Sequence, residues 1–267
     1  VVAVLPDFSA MVSYAISNYY RILIVPVTAS EGDLYFYKRD WDRAAASGIL
    51  VVLPHHASPS VSRKPQARRL SPPRLSSAIT VGAGVTTNQR SFGPGLEVFD
   101  DPSVPGFPAL DVTEMGAAAA VAGKLAVILD RYPAYNSWDA RQHLRQVSSL
   151  YATGWIEDGG YGRVPKEIPT VTELDPAPPL ETQAVRSPDG RSVAFSWQNS
   201  LQTGFSQTAI IRQDGRTIYQ GNGTNYLWHS DLDGIEEFRF VSIHRGGRLS
   251  KPESYTIQKV EGLKSRL

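Results

Sequence analysis

A change of pattern around residues 165–179 constrains the fold of this chain more than any other feature of its sequence. Before this stretch, short apolar runs alternate with segments whose apolar residues recur at helical spacing. After it, short alternating runs are separated by turn residues. The stretch itself contains five prolines, which suit a linker or an edge strand. The pattern predicts two domains, residues 1–164 and 180–267, joined by a proline-rich linker over residues 165–179.

The first domain is predicted to be α/β. Four apolar runs are typical of buried strands: Val1–Leu5, Ile22–Val27, Ile49–Leu53 and Ala78–Ala83. Helical spacing predicts a helix between the first and second runs and another between the second and third. Two more helices are predicted after the fourth run, at Ala117–Leu129 and Asp139–Leu150. Because strands alternate with helices, we expect a mostly parallel sheet covered by helices.

The second domain is predicted to be an all-β sandwich. Residues Arg191–Trp197 place Val193, Phe195 and Trp197 on one face of a strand. Asp214-Gly215 is a hairpin turn signal between two further strand candidates. Strands and turns at a spacing of roughly ten residues are typical of a small sandwich.

Composition excludes several classes of protein. The chain has no cysteine, so it forms no disulfide and offers no thiolate for metal binding or catalysis. Lys and Arg total 27 and Asp and Glu total 26, so the net charge is close to zero. The excess of positive charge that is typical of nucleic-acid-binding proteins is therefore missing. No apolar run approaches about 18 residues, so we expect no membrane span.

The first domain contains five motifs whose order and spacing are informative. They are Gly48–Ala57, Ala78–Ala83, Ser91–Gly93, Thr113–Gly123 and Gly160–Val164. In this order and spacing, residues 1–164 resemble the C-terminal portion of the subtilisin-like serine peptidases. The resemblance implies an α/β fold with a central parallel sheet.

The same resemblance implies that the catalytic chemistry is lost. The segment Thr113–Gly123 lies without gaps on the family's nucleophile motif and puts Met115 where the family has its serine. A thioether has no proton to lose and cannot attack a carbonyl carbon as an activated serine does. The family's oxyanion-hole Asn falls on Ala57, whose side chain has no hydrogen-bond donor. We therefore predict a non-catalytic relative.

The resemblance also predicts an incomplete sheet. In the family, an Asp-bearing strand lies between the strands that match Val1–Leu5 and Ile22–Val27, and a His-bearing helix precedes both. Neither is found in this sequence. We therefore expect another polypeptide to fill the gap, with the N-terminal part of the same precursor as the first candidate. A rearranged sheet in which the two strands pair directly is the alternative.

The second domain resembles a fibronectin type III-like sandwich. The segments that carry the resemblance are Phe195–Trp197, Ile210–Gly215, Ile218–Gly221, Phe238–Ile243 and Leu249–Pro252. They are mostly core and turn residues. Modules of this kind usually space, dock or bind, so the resemblance implies an interaction role and no catalysis.

Three further groups of residues are candidate sites. The aromatic residues Tyr35, Tyr37 and Trp41 form either an exposed patch for a partner or glycan, or part of the core. A Ser- and Pro-rich stretch carries five basic residues that form a solvated loop or a docking site: Arg63, Lys64, Arg68, Arg69 and Arg74. His55 and His56 are adjacent but lack further ligands at metal-binding spacing, so we predict no metal and no cofactor.

These observations favour a non-catalytic protein that acts as a structural or adhesive subunit of a larger extracellular, cell-surface or virion assembly. Two alternatives remain open. One is a processed C-terminal fragment of a secreted subtilisin-like endopeptidase. The other is a carbohydrate- or peptide-binding module that uses the former substrate cleft. A likeness of fold does not by itself decide among them.

Overall fold

The chain divides into two compact units, Val1–Asp175 and Pro176–Leu267. The computed structural model describes residues 7–25, 38–54, 77–84, 96–100, 114–153, 160–187, 191–229 and 236–257. The predicted strand Val1–Leu5 lies outside these ranges. The boundary between the units falls inside the proline-rich stretch, so residues 165–175 belong to the first unit.

The first unit is a parallel sheet with helices on both faces. Its strands are β1 (Ile22–Ile24), β2 (Leu50–Pro54), β3 (Ala78–Ala83) and β4 (Val98–Asp100). Its helices are α1 (Phe8–Ser17), α2 (Lys38–Ala46), α3 (Glu114–Arg131) and α4 (Ser137–Val147). The strands are hydrogen-bonded in the order β1-β2-β3-β4, and every pair is parallel. The predicted α/β class with a parallel sheet is confirmed.

Alternation along β2 explains why the sheet has two covered faces. Leu50 and Val52 pack with the apolar side of α3, whereas Val51 and Leu53 pack with α1 and α2. All five residues of β2 are buried, as is typical of a strand covered on both sides. The Ala-rich sequence of α3 lets this helix approach the sheet closely, and it contacts all four strands.

Residues 160–164 extend the sheet beyond β4. Phe99 and Arg163 form a parallel bridge, and the amide of Tyr161 donates to the carbonyl oxygen of Glu97 at 2.7 Å. Gly160 has a φ of +57°, and a Cβ at this position would clash with that same carbonyl oxygen. Only glycine therefore fits where this segment joins β4.

The second unit is a β-sandwich. Its strands are β5 (Leu180–Arg186), β6 (Ser192–Gln198), β7 (Phe205–Arg212), β8 (Thr217–Gly221), β9 (Asn225–His229), β10 (Glu236–His244) and β11 (Glu253–Ile257). They form two sheets, β5-β6-β9 and β11-β10-β7-β8, whose neighbouring strands are antiparallel. Phe195 of one sheet contacts Phe238 of the other, with ring centroids 4.9 Å apart. The predicted all-β sandwich is confirmed.

Candidate functional site

The start of α3 lies at the carboxyl edge of the parallel sheet. Arg21, which immediately precedes β1, donates from Nη2 to the carbonyl oxygen of Tyr135 at 2.5 Å. Tyr135 follows the end of α3 by four residues, so α3 ends at the edge where the strands begin. Its first turn therefore points to the opposite edge, which is where parallel α/β sheets usually bind ligands.

Met115 occupies the first turn of α3 at this edge. It is the second residue of the helix and is half-buried, and the next three residues are buried against the sheet. This is where a helix N-terminus could support a nucleophile, but the thioether of Met115 has no proton to transfer. Thr113, which precedes the helix, lies outside the described residues.

The described polar groups at the ends of β3 and β4 pair with α3 and with residues 160–164. Asp100 Oδ2 lies 2.5 Å from Lys124 Nζ, and both side chains are largely buried. Arg163 donates from Nη2 to the carbonyl oxygen of Gly84 at 2.5 Å and lies over the ring of Phe99. These charges are engaged in contacts that join the strand ends to α3 and to residues 160–164, which is a structural role.

Most of the site residues predicted from sequence lie outside the described ranges. These are Ala57, Tyr35, Tyr37 and the basic residues Arg63, Lys64, Arg68, Arg69 and Arg74. The pair His55 and His56 lies outside them as well. Their roles stay predictions.

Trp41 corrects the expectation of an exposed aromatic patch at this position. Its side chain is 1% exposed, and its ring lies 4.2 Å from that of Phe8 between α1 and α2. A ligand cannot contact this ring without displacing α1. Trp41 therefore fills the core, which is the other role that the sequence allowed.

A buried charge cluster was not predicted from the sequence. Glu97, which immediately precedes β4, accepts hydrogen bonds from Arg141 and Arg145, which lie one turn apart on α4. Both Nε–Oε1 distances are 2.7 Å. Arg141 also donates to the carbonyl oxygen of Ala78, and Arg145 lies over the ring of Tyr161. The cluster thus joins β3, β4, α4 and residues 160–164.

The two guanidinium groups control the ionisation of Glu97. Burial alone raises the pKa of this carboxyl, but the charges and hydrogen bonds of Arg141 and Arg145 outweigh burial and lower the pKa to about 2. Glu97 is therefore a carboxylate at every physiological pH. A carboxylate with so low a pKa is a weak base near neutrality.

Metal-ligating side chains are scattered through the described part of the chain. No group of three or more His, Asp or Glu side chains there could hold a metal ion. Within the same ranges, no helix is long and apolar enough to cross a bilayer.

In comparisons with known proteins, this chain is similar to solved structures but to no family model and no curated protein. MycP1 from Mycobacterium smegmatis matches with 16% identity and a TM-score of 0.42, over 63% of this chain and 58% of that one. A lanthipeptide protease matches with 13% identity and a TM-score of 0.39, over 58% of this chain and 62% of that one.

The second unit has neighbours of its own. A fibronectin(III)-like module of Clostridium thermocellum CbhA matches with 16% identity and a TM-score of 0.25, over 29% of this chain and 93% of that one. The solved structures that resemble this chain thus include peptidases and fibronectin III modules. Their identities are low and their coverage of this chain is partial.

Proposed function

We propose that this chain is a non-catalytic relative of serine peptidases that acts as a structural or adhesive subunit of a larger assembly. The observation that carries the proposal is Met115. The residue stands in the first turn of the buried helix α3, at the carboxyl edge of the sheet, where the peptidase resemblance requires an activated serine. Among the described residues at this edge, Asp100 and Arg163 take part in structural contacts.

The absence of hydrolysis is directly testable. We expect the purified protein to release no peptides from casein above the rate in buffer, and the Met115→Ala variant to behave in the same way. A wild-type rate above the buffer rate would refute the proposal, whether or not the rate falls in Met115→Ala. An active serine peptidase assayed in parallel shows that the conditions permit hydrolysis.

The interaction role receives support from the edge of β1 that faces away from β2. The carbonyl of Arg21 accepts from the amide of Leu50, and the amide of Val25 donates to the carbonyl of Val52, so these residues direct their backbone groups toward β2. By alternation, Ile22 and Ile24 direct theirs away from β2. No strand in the described part of the chain pairs with that edge. Unpaired strand edges readily add a strand from another polypeptide.

Ile24 provides a selective test of strand addition. Ile24→Pro removes an amide that faces away from β2, and it leaves the hydrogen bonds between β1 and β2 intact. In the native assembly we expect Ile24→Pro to weaken retention of the partner chain at least tenfold, whereas Ile24→Val, which keeps the amide, has no effect. Equal retention by both variants, with unchanged thermal midpoints, would exclude β1 as the attachment edge.

A further inference from the structure

A small pocket lies at the amino edge of the parallel sheet, on the side away from Met115. It has a volume of about 230 Å³ and opens to solvent. Ile16 contributes apolar surface, and Ile49 lies behind it with a side chain that is 2% exposed. Tyr19, Tyr20 and Arg21 line the pocket from the segment that joins α1 to β1. Nothing in the proposed function uses this pocket.

The backbone at Tyr19 is strained in a way that its packing does not explain. Helices α1 and α2 end in the same hydrogen-bonding pattern: the amides of Tyr19 and Tyr20 bond back to α1 as those of Gly48 and Ile49 do to α2. In this pattern, the second residue after each helix must adopt the left-handed backbone conformation. Gly48 meets that need with a φ of +81°, whereas α1 uses Tyr19 with a φ of +57°.

Burial of the side chain does not compensate for the strained backbone of Tyr19. The side chain is 91% exposed, although tyrosine is costly in this conformation and glycine serves the same turn in α2. Strain of this kind is characteristic of functional positions, because a surface contact can compensate for it. Tyr20 lies beside Tyr19, and its ring is 6.2 Å from that of Tyr14. Tyrosine and arginine are among the residues most enriched at the energetic centres of protein interfaces.

The charge of the pocket indicates the ligand. Arg21 is the one charged group among the described residues that line it, and no carboxylate is among them. The guanidinium is exposed, and the bond from Nη2 to Tyr135 uses one of its five N–H donors. The side chain of Asn136, which also lines the pocket, is engaged in the capping box of α4. An exposed guanidinium beside apolar surface suits a carboxylate that carries a small apolar group.

We propose that this pocket binds the free carboxyl terminus of a polypeptide. In this arrangement Arg21 pairs with the terminal carboxylate, Ile16 contacts the last side chain, and Tyr19 contacts the residues before it. The pocket is smaller than the usual site for a drug-sized molecule, so only a small group fits inside it. The end of a polypeptide chain is such a group. Because the ring of Tyr19 is almost fully exposed, it is available to a ligand that continues beyond the cavity.

Titration with short peptides tests the proposal on the full chain. We would follow backbone amide chemical shifts while adding N-acetylated tripeptides that end in Leu or Phe, each as the free acid and as the amide. We expect the free acids to bind with dissociation constants in the millimolar range, and the amides at least tenfold more weakly. Saturable shifts would centre on residues 16–21 and 47–49. No saturable shift with any free acid, or equal binding of acid and amide, would overturn the proposal.

Two variants separate binding from folding. Tyr19→Gly relieves the backbone strain, so we expect the thermal midpoint to rise by about 2–4 °C while peptide affinity falls several-fold. Arg21→Gln should reduce affinity about tenfold, and Arg216→Gln, an exposed arginine of the second unit, should not change it. Undiminished affinity in both pocket variants would overturn the assignment. So would isovaleric acid binding as tightly as the peptides, because the ligand would then be a small carboxylate.

Discussion

At the scale of the residue, the most consequential interaction in the first unit is the pairing of one buried carboxylate with two buried guanidinium groups. Glu97 is 1% exposed, and the side chains of Arg141 and Arg145 are 4% and 1% exposed. Charges removed from water are costly, and pairing compensates for that cost when the geometry is good. Removal of the shared carboxylate leaves two cations buried together.

We therefore expect Glu97→Gln to lower the free energy of unfolding by about 3–5 kcal/mol. The matched control is Glu237→Gln, which removes the carboxylate that pairs with Arg239 on the surface of the second unit. That exposed pair should contribute less than about 1 kcal/mol. Urea unfolding of both variants gives the comparison. A loss for Glu97→Gln no larger than that for Glu237→Gln would contradict a stabilising role for the cluster.

Glu97 also predicts the direction in which the stability of the fold changes at acidic pH. The pKa of Glu97 is lowered from 4.5 to about 2 in the folded state, so its contribution to stability is complete above pH 4.5. That contribution is lost as the pH falls from 4.5 toward 2, by roughly 3 kcal/mol in all. The difference in stability between wild type and Glu97→Gln should therefore shrink over this interval. A difference that is constant between pH 5 and pH 2.5 would show that the carboxyl titrates normally.

At the scale of the element, the segment 160–164 shows how a backbone requirement attaches one element to another. Gly160 lies against the carbonyl of Glu97 with a positive φ, so the segment can join β4 as a parallel neighbour. Gly123 differs in every respect: it lies within α3, has no positive φ, and has open space where a methyl group would point. We therefore expect substitution by alanine to have opposite effects on stability at these two positions.

Gly160→Ala should destabilise the protein by more than about 2 kcal/mol, because the new methyl group meets backbone atoms and the left-handed conformation becomes costly. Gly123→Ala should stabilise it by about 0.5–1 kcal/mol, since alanine is the better helix former. Thermal or urea unfolding measures both. Effects of equal sign would contradict the close contact inferred between residues 160–164 and β4.

At the scale of the whole molecule, pattern alone predicts both fold classes. Continuous apolar runs predict β2 and β3, because strands covered on both faces need them. A different pattern predicts β6: Val193, Phe195 and Trp197 alternate with more polar residues, so they lie on one face of the strand. The short strand β4 is missed, because its three residues carry too little pattern.

The sites are predictable to a smaller extent, since side-chain burial depends on tertiary packing. Trp41 is compatible with a surface or a core position until α1 is placed against it. The cluster of Glu97, Arg141 and Arg145 joins residues more than 40 positions apart, so no local pattern indicates it. Its one local sign is the spacing of the two arginines by four residues on α4. Tyr19 likewise becomes informative only when its backbone conformation is known.

At this scale we propose that Met115 stands where the peptidase resemblance requires a nucleophile, and we therefore expect no acyl transfer. Intact-mass measurement after treatment of the native protein with diisopropyl fluorophosphate tests this claim most directly. We predict no added mass beyond that seen in a heat-denatured control. One organophosphoryl group on a single serine, gained by the native protein and not by the denatured one, would contradict the claim and show an activated nucleophile elsewhere in the chain.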